Sequence, residues 1–105
     1  MSFNDNFSEL KSIFMSKNIE EVDGFLAFQF DIIGDGSGTF YAELKNGKLS
    51  IEPYEYIDRQ AVFTASFDVF KNIALGNLDP VKAFITKKLS VDGDFNKALK
   101  LKRLI

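Results

Sequence analysis

The sequence predicts an α+β domain: a five-stranded sheet, mixed but mostly antiparallel, with about four helices packed on one face. Three observations predict it. Apolar residues recur at spacings of three and four near the start and in the last third, they alternate with period two through the middle, and Gly, Asn-Gly and Asp-Pro punctuate the changes of period. With 105 residues of which 46% are hydrophobic, the chain has room for one domain over residues 1–105 and one core.

The elements follow in order. Ser2 to Ser16 reads as an amphipathic helix, with Ser2 and Asp5 as a capping box and Phe3, Phe7, Leu10 and Phe14 on the buried face. Asn18 and Glu20-Glu21 close it. From Val22 the period becomes two, placing Leu26, Phe28, Phe30 and Ile32 on one face of a long strand and Ala27, Gln29 and Asp31 on the other. Gly34 to Gly38 makes a turn into a second strand with Phe40, Ala42 and Leu44 inward, and Asn46-Gly47 is the two-residue hairpin signal before a third strand carrying Leu49 and Ile51. Pro53 to Asp58 is a loop with Tyr54 and Tyr56 at a sheet edge or on the surface. Ala61, Phe63 and Ala65 mark a fourth strand, and Ser66 caps a helix that ends at Gly76. Asp79-Pro80 opens a short helix, Leu89 and Val91 a brief fifth strand, and Gly93-Asp94 a last helix with Phe95, Ala98 and Leu99 on one face. Because a helix joins the fourth and fifth strands, at least one pair cannot be a simple hairpin, and a mixed sheet is expected.

Composition removes whole classes of function. There is no Cys and no His, so thiol and imidazole catalysis, disulfides and nearly all transition-metal sites are excluded, and no metal or cofactor is expected. No nucleophile is set beside a base, and Asp79 and Asp94 have sufficient work as caps, which argues against an enzyme. Gly34 to Gly38 leads into a strand and not a helix, so it is a turn and not a phosphate cradle; Ile33 and Ala42 stand where a calcium loop needs ligands. The outward strand positions Gln29, Asp31, Tyr41 and Glu43 do not suit nucleic acid. The polar, acidic start MSFNDNFSEL and the lack of an eighteen-residue apolar run make a cytoplasmic location the expectation.

Charge is divided unevenly along the chain. The first seventy residues hold twelve acidic and five basic side chains, the rest three and eight, within a net charge of -2. Lys97, Lys100 and Arg103 recur every three residues and form a basic stripe suited to transient contact with an anionic membrane. Lys102 falls on the apolar face and Leu104 on the basic one, so the regular helix is expected to end near Leu101.

Gly76, Pro80, Ala83, Phe84, Lys88, Leu89, Gly93, Ala98, Lys100, Leu101 and Leu104, preceded by Asp23-Gly24 and by the Lys45 to Lys48 hairpin KNGK, form an arrangement that resembles the sterol carrier protein type two family over nearly the whole chain. Lys87 stands where that family usually has Gly, Gln60 where an Asp is common, and Ile105 where many members continue with a segment that helps close a ligand tunnel. Periodicity alone makes the bulky apolar residues of the helices a packed core. The resemblance implies instead a non-enzymatic intracellular lipid carrier that holds a sterol, fatty acid or fatty acyl-CoA in an apolar tunnel between sheet and helices. It places Phe70, Ile73 and Ala74 from one helix, Phe84 and Ile85 from the next and Leu99 from the last along that tunnel. The alternative is an interaction or dimerisation module with a filled core, serving a partner enzyme.

Overall fold

The computed structural model describes residues 2–16 and 24–104, with the side chains of residues 103 and 104 outside that description. The expected boundary signals at Asn18, Glu20-Glu21, Val22 and Asp23 lie outside the described residues. The element order is α1 (Phe3–Met15), β1 (Phe25–Ile33), β2 (Gly38–Lys45), β3 (Lys48–Glu52), β4 (Ala61–Ser66), α2 (Phe67–Ala74), α3 (Pro80–Ile85), β5 (Ser90–Gly93) and α4 (Phe95–Ala98), which runs on as a 3-10 helix over Leu99–Leu104. The sheet order is β3-β2-β1-β4-β5. This is the α+β, mixed, mostly antiparallel architecture that the sequence predicts, with the helices on one face.

The parallel pair is not the one joined by the helical link. β4 and β5 are antiparallel despite the helical link, and the parallel partners are β1 and β4, with Phe30 opposite Phe63. The link after β4 holds two helices, α2 and α3, so the chain returns to the end of the sheet where β4 finishes. The parallel contact arises because the meander β1-β2-β3 ends at one edge and residues 53–60 carry the chain back across the sheet to the far side of β1.

That crossing covers the face opposite the helices. Ala27 and Gln29 lie on the face opposite Phe28 and Phe30, as their alternation predicts, but are buried there and not open to solvent. The backbone N–H of Tyr56 donates to Gln29 Oε1 at 3.3 Å, and the Tyr56 ring meets Tyr41 edge-on at 5.1 Å. Tyr56 therefore lies on the back of the sheet, while Tyr54 is exposed. Gln60 closes the crossing: its Nε2 donates to the Phe25 carbonyl, its Oε1 accepts from Ala27 N–H, and its own carbonyl accepts from Asp94 N–H.

On the helix side, Ser2 accepts from Asp5 N–H at 3.2 Å and starts α1 as predicted. Its buried face is Asn6, Leu10 and Phe14, with Phe3 and Phe7 partly covered. Asn6 was not among the predicted face residues. Its Nδ2 donates to the carbonyls of Asp35 and Gly36, tying α1 to the β1-β2 turn, and a Cβ on Gly38 would run into the Phe3 ring. The hairpin at Asn46-Gly47 has φ of 53° and 76°, the two positive values such a turn requires, with Lys45 opposite Lys48.

Helices α2 and α3 both end in the same way. After α2, Gly76 N–H donates to the Ile73 carbonyl and Asn77 N–H to that of Asn72, with Gly76 at φ 82°. After α3, Lys87 N–H donates to Phe84 and Lys88 N–H to Ala83, and the left-handed residue is Lys87 at φ 65°. A side chain in that conformation costs about 1 kcal/mol that glycine does not. Lys87 is exposed, so little packing offsets the cost. Lys87→Gly is expected to stabilise the protein by about 1 kcal/mol, raising the melting temperature by roughly 4 °C or more; thermal unfolding of the two proteins checks it, and an unchanged or lower midpoint contradicts it.

On the back face the Tyr56 hydroxyl donates to Glu43 at 2.6 Å, and this bond, with burial second, raises the phenol to about 12 from an ordinary 10.0. The raised value means that the neutral phenol is favoured by folding. That contribution is complete below pH 10 and lost as pH rises to about 12. Urea denaturation across this window should show stability falling more steeply in the parent than in Tyr56→Phe; parallel curves would contradict it.

Candidate functional site

The last third of the chain is built from elements too short to cover one another. Asp79 caps α3 by accepting from Val81 N–H at 2.8 Å, Pro80 begins it, and the turn at Lys87 ends it after six residues. Its one buried residue is Ala83, which directs Phe84 and Ile85 away from the core. Asp94 caps α4 by accepting from Asn96 and Lys97 N–H, and the α-helical geometry lasts only to Ala98. Beneath them β5 adds four residues at the sheet edge.

Between α3, α4 and β5 lies an apolar groove of about 320 Å³, open to solvent along one side. Pro80, Val81, Phe84 and Ile85 form one wall, and Phe95, Ala98 and Leu99 the other. Phe63 of β4 lies at its base with Leu89 and Val91, the last being the register partner of Phe63. The rings of Phe84 and Phe95 meet edge-on at 5.7 Å. Four large apolar side chains here remain exposed: Phe84 by 43%, Ile85 by 69%, Phe95 by 55% and Leu99 by 59%. Such a volume falls at the lower end of ligand sites, and clustered apolar exposure of this kind marks a surface that takes a partner.

Lys102 is the one ionisable group among the described residues that line the groove. In a 3-10 helix residues three apart eclipse, so the change of geometry at Leu99 brings Lys102 in line with Leu99. Its Nζ lies 3.7 Å from Asp79 Oδ1, on the opposite wall.

Of the residues that the sequence places along a tunnel, Phe84, Ile85 and Leu99 line this groove. Phe70, Ile73 and Ala74 do not; α2 packs them into the main core, where Phe70 meets Phe30 edge-on at 5.5 Å. Phe63, Val91, Phe95, Ala98 and Lys102 line the groove without having been placed there. The signal for Phe95 was its spacing of four from Leu99, and for Lys102 its break in the apolar face.

A family model, the SCP-2 sterol transfer family, matches residues 9–105. The chain belongs to that family. Among its relatives is hydroxysteroid dehydrogenase-like protein 2 of Xenopus tropicalis, 29% identical over 104 residues, which cover 96% of this chain and 24% of that protein. Human sterol carrier protein 2 is 29% identical over 90 residues, covering 82% and 16%. The chain thus spans about a quarter or less of the length of these curated relatives. Among solved structures, palmitated SCP2L2 from Aedes aegypti matches with a TM-score of 0.68 at 16% identity, over 99% of this chain and 94% of that one. At that identity the likeness is one of fold.

Proposed function

We propose that this SCP-2 domain is a non-enzymatic, cytoplasmic lipid carrier whose ligand, a sterol, fatty acid or fatty acyl-CoA, lies in the apolar groove between α3, α4 and β5. The observation that carries this reading is the groove itself, walled by apolar residues that four exposed large side chains leave uncovered. Burial of a tail against them is the driving force, each buried methylene contributing about 0.8 kcal/mol. Lipid binding by a relative of the same fold supports it, since the Aedes aegypti protein is described as palmitated.

One observation favours the alternative of a module that serves a partner enzyme. The dehydrogenase-like relatives are several times longer than this chain, so in them the matching domain is one part of a larger protein. The two readings differ in ligand. A fluorescent fatty acid should be bound by the parent and lost in Leu99→Trp, which enlarges an exposed wall residue of the groove and lies outside the buried core cluster. Ala74→Trp, in a fully buried position, should instead destabilise by about 3 kcal/mol through overpacking. A parent that binds no fatty acid, and carries no lipid by native mass spectrometry, would favour the module.

We further propose that the basic last third lets the carrier touch anionic membranes while loading. Lys97 is half-buried on α4, and Lys100, also half-buried, follows three residues later in the 3-10 helix, with Lys82, Lys87 and Lys88 exposed on and just after α3. Each base near such a surface contributes about 1 kcal/mol. Transfer of a fluorescent lipid between vesicles should speed up with anionic lipid content and slow in high salt. Lys97→Glu with Lys100→Glu should remove both dependences; a rate indifferent to vesicle charge and salt would leave the stripe as a solvated face.

A further inference from the structure

We infer that the groove selects single-tailed amphiphiles with an anionic head, and that Lys102 binds the head, exchanging Asp79 for the ligand as the tail enters. The inference rests on the groove being a lipid site and specifies its ligand class. Its first support is the lining: apart from the one ammonium of Lys102, the described lining side chains are apolar. A neutral head would offer that ammonium only an uncharged acceptor in exchange for the water and the carboxylate it now has, whereas an anionic head replaces the carboxylate in kind.

The second support is the geometry of the existing pair. At 3.7 Å the Lys102 and Asp79 groups are in ionic contact but beyond hydrogen-bond distance, and their side chains are 52% and 42% exposed, so water screens their attraction. The two partners are not equally held. Asp79 Oδ1 also caps α3 at Val81 N–H, which holds the carboxylate in place. Lys102 sits at the end of a four-carbon stem, so the ammonium is the group that moves.

The third support is position. Lys102 stands in line with Leu99, so a head on its ammonium sets the first methylenes over Leu99 and directs the rest toward Ala98 and Phe95. The excess of basic residues after position 70 adds a longer-range attraction of the same sign for an anion.

Titration calorimetry of the whole chain at neutral pH with decanoate and decanol tests this, because the two share a tail and differ in charge. The parent should bind decanoate about fivefold more tightly than decanol, the size of an exposed ion pair. Lys102→Met keeps most of the stem and should bring decanoate down to decanol, leaving decanol unchanged. Asp79→Asn still caps α3 and should tighten decanoate roughly twofold with no effect on decanol. Equal affinity of the parent for both amphiphiles overturns the head-group assignment and leaves the groove a lipid site, as does a loss shared equally by both in Lys102→Met. An Asp79→Asn protein that binds decanoate as the parent does overturns the exchange. A parent that binds neither amphiphile overturns both this inference and the lipid-carrier reading beneath it.

Discussion

The packing of Phe30 is the contact on which the rest of the structure depends. It lies on the central strand, and its ring touches Phe14 of α1 at 5.8 Å, Phe40 of β2 at 4.9 Å, Phe63 of β4 at 5.4 Å and Phe70 of α2 at 5.5 Å. One side chain therefore joins two helices and both neighbouring strands. The stacked pairs with Phe40 and Phe63 run across the sheet, and the edge-on contact with Phe70 runs up into the helical layer, geometries that aromatic rings prefer. The abundance of phenylalanine is explained mainly by this core and only secondarily by the groove, which takes Phe63, Phe84 and Phe95.

Most of the fold was legible in the sequence because the signals were local. Ser2, Ser66, Asp79 and Asp94 each cap the helix that they were expected to cap, since a short side-chain acceptor ahead of an apolar-periodic run has few other uses. Asn46-Gly47 gave the hairpin and its register for the same reason. What was not legible depended on long-range pairing. The β1-β4 contact joins Phe30 to Phe63, and nothing near either residue announces the other. Gln29 reads as a solvent-facing residue until the 53–60 crossing lies over it, and Asn6 reads as a polar position on α1 until the turn at Asp35 and Gly36 offers it two carbonyls.

The site divides along the same line. Helical periodicity identifies which residues leave the polar face but not which neighbour receives them. Phe70, Ile73 and Ala74 join the core around Phe30; Phe84, Ile85 and Leu99 wall the groove between two short helices and stay exposed. The difference is one of length. α2 has eight residues and lies against the sheet and α1, whereas α3 has six and α4 four. The breaks that shorten them, at Lys87 and at the onset of 3-10 geometry after Ala98, are what leave the groove open.

The brevity of β5 has a consequence for how copies of the protein meet. Among the described residues β3 and β5 are the edge strands, where a sheet can add strands from another chain, and the β5 edge lies beside the apolar groove. That edge offers only Ser90 to Gly93, with Ser90 and Asp92 polar, and it ends in a glycine pressed so near the Gln60 carbonyl that a Cβ would lie 2.7 Å from it. The opposite edge, β3, carries Lys48 and Glu52. Short, polar or charged borders of this kind disfavour fibre-like stacking, so the apolar surface can remain uncovered without recruiting the sheet into edge-to-edge aggregation.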